Sequence, residues 1–309
     1  MRMQPDLYMP ERVGKVQLDY RWFDERERYS DGDEVEDFLL KMVQEKRDPW
    51  QVLRQDHRWP VLYHLTPGRT VITEPMRILP TDRVLEIGAG MGAITGALAQ
   101  RAAGVDCVEL SLQRSLVNAY RHQAQEGIRI IVGNYESIPF QETYEVVTLI
   151  GVLEYAGMYI HQAQHPAQAL LKSICHRMKP GARLYIAIEN RLGMKYFAGC
   201  PEDHLAYSFV GIEGYHTDVP IRTYSRQELI QLLAKVGFAD PVFWYPFPDY
   251  KLPSVIYSEE SLRMGGIPAV ANYDLHRYRV FDEQKAMSSM TAEEFGVFAN
   301  SFLVEVIKR

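Results

Sequence analysis

The feature that most constrains this chain is a short apolar run that ends in three closely spaced glycines. The run is Val84-Leu85-Glu86-Ile87; Gly88, Gly90 and Gly92 follow it, and helix-forming residues occupy positions 93–102. A strand, a glycine-rich turn and a helix start form the unit with which α/β folds hold a nucleotide-like ligand. Glycine has no Cβ, so the backbone can approach such a ligand closely. The stretch therefore predicts an α/β fold with a ligand site at this turn.

The spacing of the glycines fits two classes of ligand. Gly88-x-Gly90-x-x-Ala93 matches the dinucleotide fingerprint with alanine in its last position, which would indicate an NAD(P)-dependent oxidoreductase. Gly88-x-Gly90-x-Gly92, with Glu86 two residues earlier, instead resembles motif I of the class I S-adenosylmethionine-dependent methyltransferases. The motif alone leaves both classes open, so other segments must distinguish them.

Composition limits the function classes. With 309 residues, 47% hydrophobic and 24% charged, the chain can form one large α/β domain with additions. Its net charge of −6 argues against a general nucleic-acid binder. The N-terminus has no apolar run and no window is long enough to span a bilayer, which predicts a cytoplasmic protein. Reduced thiols, rather than a disulfide or metal set, are expected at Cys107, Cys175 and Cys200.

Strand and helix patterns alternate along most of the chain after residue 82. This alternation predicts a parallel sheet with helices on both faces. A final apolar segment predicts a strand that closes the chain. The predicted strands are residues 83–87, 105–109, 128–132, 146–150, 183–188, 241–245 and 301–307.

The methyltransferase resemblance implies a Rossmann-like sheet of seven strands whose final strand is antiparallel. On this basis, residues 1–76 form a helical N-terminal cap and residues 77–250 form the methyltransferase core, with a substrate loop at 190–223. Residues 251–296 are an insertion, and the last core strand lies within 297–309.

Further segments favour the methyltransferase over the oxidoreductase. Glu109 ends the second predicted strand, where an acidic residue can bind ribose hydroxyls in either class. Asn134, in the run from Gly133 to Phe140, resembles the adenine-binding turn of methyltransferases. The segment from Gly151 to Tyr155 resembles their pocket near the methionine part. The resemblance implies S-adenosyl-L-methionine as cofactor, with contacts from Glu86, Gly88, Ala89, Gly90, Gly92, Glu109, Leu110, Asn134, Tyr135, Gly151 and Tyr155. Glu86 is then expected near the methionine ammonium group, directly or through water.

A closer resemblance extends over most of the chain. Residues 29–32, 59–65, 187–204 and 245–253 are similar to a bacterial methyltransferase group that is often associated with surface-polysaccharide assembly. The resemblance implies a carbohydrate or other hydroxyl-bearing acceptor and no nucleic-acid partner. In that group the methyltransferase part is sometimes followed by other domains, so a larger protein or a glycan-assembly complex is left open.

A hydroxyl acceptor requires a general base, because a hydroxyl is a poor nucleophile. His204 is the preferred candidate, since it lies in the polar loop Pro201-Glu202-Asp203-His204, where two carboxylates could orient the imidazole. His64, in an aromatic N-terminal segment, and Glu189, after the fifth strand, are further candidates. No metal set is evident. A small-molecule or protein acceptor, and a non-catalytic cofactor-binding scaffold, are the alternatives within this resemblance.

Overall fold

The structure is a computed structural model, and it describes residues 9–26, 29–161, 163–216, 218–264 and 279–309. The chain divides into two compact units. The first unit comprises Met1–Leu65 and Leu79–Ile138, and the second comprises Thr66–Ile78 and Pro139–Arg309. Within the described residues, no helix is both long enough and apolar enough to cross a membrane.

The described residues of the first unit form five strands in the order β1-β2-β5-β4-β3. Strands β3, β4 and β5 are parallel and agree with the predicted strands, β2 runs parallel to β5, and β1 is antiparallel to β2. The chain before residue 76 thus supplies strands as well as helices. The five strands are β1 (Arg12–Val13), β2 (Val16–Trp22), β3 (Arg83–Ile87), β4 (Gly104–Glu109) and β5 (Ile128–Gly133).

The helices of this unit bury one face each. In α1, Val35, Leu39 and Met42 recur at helical spacing and pack with Val61 and Val117 in one apolar cluster. The side chain of Asp48 caps α2, and Pro49 occupies its first turn, where a missing N–H costs nothing. The helices are α1 (Asp33–Gln44), α2 (Pro49–Gln55), α3 (Trp59–Leu65), α4 (Thr95–Ala99) and α5 (Leu112–Arg121), with a 3-10 helix at Tyr135–Ser137.

In the second unit, the part of the chain that the structure describes also forms five strands, in the order β6-β7-β10-β8-β9. The closing strand β10 pairs with both β7 and β8 and is antiparallel to each, as the resemblance implied. The prediction of seven strands was wrong, since the described residues contain ten. The strands of this unit are β6 (Tyr144–Ile150), β7 (Met178–Glu189), β8 (Ala239–Phe247), β9 (Val255–Ser258) and β10 (Ser301–Ile307).

Helix α10 shows how local sequence sets the limits of an element. Ser225 and Glu228 form a reciprocal capping box at its start, and Gly237 ends it with a left-handed φ of 98°. The predicted insertion holds β9 and three helices, while its residues 265–278 lie outside the described residues. The helices are α6 (Ala156–Tyr159), α7 (Pro166–Arg177), α8 (Met194–Phe197), α9 (Val210–Glu213), α10 (Arg226–Val236), α11 (Glu259–Arg263), α12 (Glu283–Ser288) and α13 (Ala292–Phe298), with 3-10 helices at Pro67–Thr73 and Leu153–Tyr155.

Packing of the first unit predicts a contrast between two leucines. Leu39 is fully buried, whereas Leu79 is 58% exposed. We expect Leu39→Ala to lower the free energy of unfolding by about 2–5 kcal/mol, because it removes apolar contacts and leaves a cavity. Leu79→Ala, the matched control, should change it by less than about 0.5 kcal/mol. Urea denaturation measures both, and equal losses would contradict this assignment of the core.

Candidate active site

The glycine turn at the carboxyl end of β3 has the geometry that only glycine adopts easily. Gly88, Gly90 and Gly92 have φ values of 73°, 55° and 74°, all in the left-handed region. A Cβ on Gly92 would also lie 2.2 Å from Oδ1 of Asn118. The turn therefore presents bare backbone, which is the surface that a cofactor's methionine part or ribose requires.

Glu109 stands beside this turn, at the end of β4. Its Oε2 accepts a hydrogen bond from the Gly90 N–H at 2.7 Å, and its Oε1 accepts one from the Ser111 N–H at 2.8 Å. Burial raises the pKa of this carboxyl, against the opposing effects of the Arg114 charge and the two N–H groups. Each carboxylate oxygen can accept a second hydrogen bond. Glu109 can thus hold the turn and still bind two ribose hydroxyls.

Glu86 is buried within the first unit. Its Oε2 accepts hydrogen bonds from Thr95 Oγ1 at 2.7 Å and Cys107 Sγ at 3.4 Å, while Asn118 Nδ2 donates to Thr95 at 3.2 Å. These contacts tie β3 to α4, β4 and α5. The expected contact of Glu86 with an ammonium group remains a prediction.

The rest of the predicted cofactor residues are distributed over both units. Asn134 directly follows β5, and its Oδ1 accepts a hydrogen bond from the Glu136 N–H at 3.0 Å, which starts the 3-10 helix that contains Tyr135. Ala89 is buried, and Leu110 follows β4. Gly151 and Tyr155 belong to the second unit, after β6.

His64 lies in an ion network of the first unit that sequence reasoning missed. Its Nε2 is 2.7 Å from Oδ2 of Asp31, which also pairs with Arg114, and Arg114 Nε donates to Glu36 at 3.0 Å. Burial would raise the pKa of Asp31, but the hydrogen bond from His64 and the Arg114 charge lower it. Because Arg121 also donates to the His64 carbonyl at 2.7 Å, this histidine is held from both ends.

The second unit brings Glu154, Glu189 and His204 together; we call them the Glu–Glu–His cluster. Glu154 follows β6, Glu189 is the last residue of β7, and the loop after α8 carries His204. The side-chain atoms that could bind a ligand lie within 4.8 Å of one another. His204 Nε2 is 3.3 Å from Glu189 Oε2, and Nδ1 is 3.0 Å from the Tyr155 hydroxyl. Two of the three predicted bases, His204 and Glu189, are therefore in contact.

A row of alternating charges supports the cluster; we call it the lysine–aspartate network. Lys251 Nζ pairs with Glu189 Oε1 and lies 2.7 Å from Asp203. Lys195 Nζ is 2.8 Å from the same Asp203 and 2.6 Å from Asp249. The two lysines and both aspartates thus fix the position of Glu189.

The expected role of the carboxylates beside His204 was only partly right. Asp203 binds the two lysines, and Glu202 accepts the backbone N–H groups of His204 and Leu205 at 2.8 and 2.7 Å. Both shape the loop, while Glu189 contacts the imidazole. Side chains adjacent in sequence diverge in a loop, so their proximity along the chain was a poor guide. One sequence feature could have pointed to Lys251, because this residue lies in the segment 245–253 that resembles the polysaccharide-associated group.

Burial and mutual charge alter the acidity of the whole cluster. Burial, reinforced by the Glu189 charge, raises the pKa of Glu154 to about 8. Burial opposes ionisation of Glu189 as well, but the charges of Lys251 and His204 lower the pKa of Glu189 to about 2. For His204, burial favours the neutral imidazole, yet Glu189 raises the pKa to about 9. Among the described residues, neither carboxyl oxygen of Glu154 has a hydrogen-bond partner.

Comparison with known proteins identifies the domain. Residues 85–186, less than half of the 309-residue chain, match the family model described as a methyltransferase domain. The match supports a methyltransferase domain over those residues, for which S-adenosylmethionine is the expected methyl donor. The glycine turn, its left-handed backbone and the acceptor capacity of Glu109 fit this cofactor. The match also favours the methyltransferase interpretation of the glycine motif over a dinucleotide oxidoreductase.

Similar proteins are methyltransferases of several kinds. The ubiquinone biosynthesis O-methyltransferase of Pseudomonas aeruginosa strain LESB58 is 27% identical over 150 residues, which cover 44% of this chain and 59% of that protein. The chain thus spans less than two thirds of the curated relatives that it matches first. A Thermotoga maritima methyltransferase structure gives a TM-score of 0.46 at 17% identity and covers 88% of this chain and 99% of that one. A Haemonchus contortus phosphoethanolamine N-methyltransferase structure gives a TM-score of 0.46 at 16% identity and covers 71% of this chain and 45% of that one.

The contacts of Glu109 generate a prediction about cofactor binding. Glu109→Gln keeps an oxygen for the Gly90 N–H but removes the charge that strengthens hydrogen bonds to ribose. Hydrogen bonds to charged groups are worth about 1.5–3 kcal/mol, so we expect about tenfold to hundredfold weaker binding of S-adenosylhomocysteine by calorimetry. The control is Glu126→Gln, at an exposed carboxylate of the same unit. Unchanged affinity in a folded Glu109→Gln protein would remove Glu109 from the cofactor site.

Proposed function

We propose that this chain transfers a methyl group from S-adenosylmethionine to a hydroxyl oxygen of a sugar or glycan-like acceptor. The observation that carries the proposal is the buried Glu–Glu–His cluster, in which an imidazole and a carboxylate are in contact and a second carboxyl is unpartnered. Oxygen as the acceptor atom is also consistent with the O-methyltransferase relatives. The resemblance of residues 29–32, 59–65, 187–204 and 245–253 to the polysaccharide-associated group supports a carbohydrate.

The proposed reaction needs a bound cofactor and a group that acts on the acceptor proton. The bound cofactor supplies an electrophilic methyl group on its sulfonium. The glycine turn and Glu109 would hold the cofactor, with Asn134 and Tyr135 as further proposed contacts. A hydroxyl becomes an adequate nucleophile only when its proton is removed or drawn away, which requires a positioned polar group. Glu189 and His204 act on that proton as one unit, because Tyr155 and Lys251 hold them in a fixed orientation.

His64 is the weakest of the proposed bases. It is 4% exposed and bound to Asp31, within a network of the first unit. We therefore assign the proton-handling role to His204 and Glu189. His64 instead helps to hold α3, in which it lies, to Asp31 just before α1.

A small-molecule acceptor is the second candidate. It is favoured by the curated relatives, whose printed name assigns them to ubiquinone biosynthesis. Labelled S-adenosylmethionine, incubated with the full chain and separated pools of glycans, small hydroxyl compounds and proteins, distinguishes the acceptors. We expect label in the glycan pool. Label confined to the small-molecule or protein pool would overturn the carbohydrate assignment, and no label in any pool, with S-adenosylhomocysteine still bound, would favour a scaffold.

The cluster generates a prediction about turnover. His204→Ala and Glu189→Gln should each lower kcat by about 10²–10⁴-fold, the range of a positioned group that acts on a proton. The double variant should lose little more than either single variant, because the residues act together. Binding of S-adenosylhomocysteine should stay within twofold.

The matched control for this series is His176→Ala, because His176 is an exposed histidine of α7 in the same unit. We expect wild-type turnover from it. If His204→Ala also kept full turnover on an identified acceptor, the cluster would have no part in the reaction.

A further inference from the structure

We propose that Glu154, Glu189 and His204 bind a divalent metal ion. The site itself stands on the geometry of these three residues, while its catalytic role rests on the proposed function. Two carboxylates and one imidazole form a donor set suited to a divalent transition metal such as Mn²⁺ or Zn²⁺. The sequence gives no metal signature because the ligands come from three separate segments, at residues 154, 189 and 204.

The groups around Glu189 and His204 leave one ligand atom of each residue facing the cluster. Lys251 occupies Glu189 Oε1, which leaves Oε2, and the Tyr155 hydroxyl occupies His204 Nδ1, which leaves Nε2. The remaining Oε2 and Nε2 are 3.3 Å apart. Two ligands bound to one ion at about 2.1 Å, at angles near those of tetrahedral or octahedral sites, are about 3.0–3.5 Å apart. The pair therefore already has the separation that a shared ion requires.

Glu154 supplies the independent observation that points to a ligand. Its side chain is 1% exposed, and neither carboxyl oxygen has a hydrogen-bond partner among the described residues. A buried polar group without a partner costs free energy, and a buried charge without one costs more. Its carboxyl oxygen belongs to the group of atoms that lie within 4.8 Å of one another. A metal ion there would satisfy the carboxylate.

The charges around the site are compatible with one divalent ion. The cluster and the lysine–aspartate network contain four carboxylates, two ammonium groups and one imidazole. Once metal binding has displaced the protons of its ligands, the four carboxylates, the two ammonium groups and one divalent ion sum to zero. The nearby Glu202 is bound separately, by two backbone N–H groups and the Tyr215 hydroxyl. In this arrangement His204 Nδ1–H donates to the Tyr155 oxygen, an orientation often found for metal-bound histidines.

The ion would act on the acceptor through its open coordination positions. A hydroxyl bound to a divalent ion loses its proton more easily, because the ion stabilises the resulting oxyanion. In the transfer, the bond between oxygen and methyl forms as the bond between sulfur and methyl breaks. The hydroxyl proton leaves to solvent. His204 and Glu189 then affect the hydroxyl proton through the metal they hold.

Metal binding can be tested without any acceptor. The full chain is treated with a chelator, dialysed and titrated with Mn²⁺, and the free ion is followed by electron paramagnetic resonance. We expect one site, at least tenfold weaker in Glu154→Gln and in His204→Asn, and about tenfold weaker in Tyr155→Phe, which removes the group that orients the imidazole. The control Glu145→Gln removes a carboxylate that pairs with Lys179 outside the cluster and should bind like wild type. Far-ultraviolet circular dichroism and thermal unfolding report that each variant is folded.

Two results would overturn the site. One is no Mn²⁺ or Zn²⁺ binding to the folded wild-type chain, and the other is binding that is unaffected in both Glu154→Gln and His204→Asn. Methyl transfer separates this inference from the proposed function. Loss of transfer after chelation, restored by Mn²⁺, supports the catalytic role, whereas full transfer by metal-free protein overturns that role and leaves the proposed function standing. Metal bound at the site, with no transfer to any acceptor pool, would contradict the proposed function alone.

Discussion

The ion pair between Lys251 and Glu189 is the contact on which the second unit's polar interior depends. Glu189 is fully buried at the end of β7, and a buried carboxylate without a counter-charge would cost several kcal/mol. Lys251 provides that counter-charge, but its ammonium group is itself buried and needs a partner. Asp203 pairs with Lys251 and also with Lys195, and Lys195 in turn pairs with Asp249. The loop that carries His204 is therefore positioned by the same interactions that permit Glu189 to be ionised.

The first unit also buries carboxylates, but it stabilises them with an arginine and with backbone N–H groups. Arg114 pairs directly with Asp31 and Glu36, and its charge also favours ionised Glu109, whose oxygens accept hydrogen bonds from two backbone N–H groups. Hydrogen bonds from the backbone leave lone pairs accessible, whereas ion pairs in a closed network do not. This difference is consistent with the proposed cofactor contact of Glu109 and with the pairing of His64 with Asp31.

Sequence patterns predicted the parallel strands and the existence of a closing strand, because burial on both faces leaves mostly apolar runs such as residues 84–87 and 302–304, while the antiparallel direction of the last strand came from the family resemblance. The glycine turn was predictable because its positive φ angles restrict the residue type. Strand β2 was not predicted. It pairs with β5, more than a hundred residues later, and no local turn signal marks such a pairing. For the same reason, the sequence predicted Glu189 and His204 as separate candidates but could not predict that Lys251 contacts Glu189.

The environment of Glu154 could not be predicted from a local sequence pattern. Its position after β6 placed it near the chemistry, but its unpartnered state depends on which groups fail to reach it, and that is a property of the packed unit. A folded chain retains an unsatisfied buried carboxyl at a cost in stability, since an apolar residue of similar size would avoid that penalty. Residues that break the rules of stable packing concentrate at functional sites. The unpartnered carboxyl of Glu154 is thus the observation on which the proposed ligand site chiefly depends.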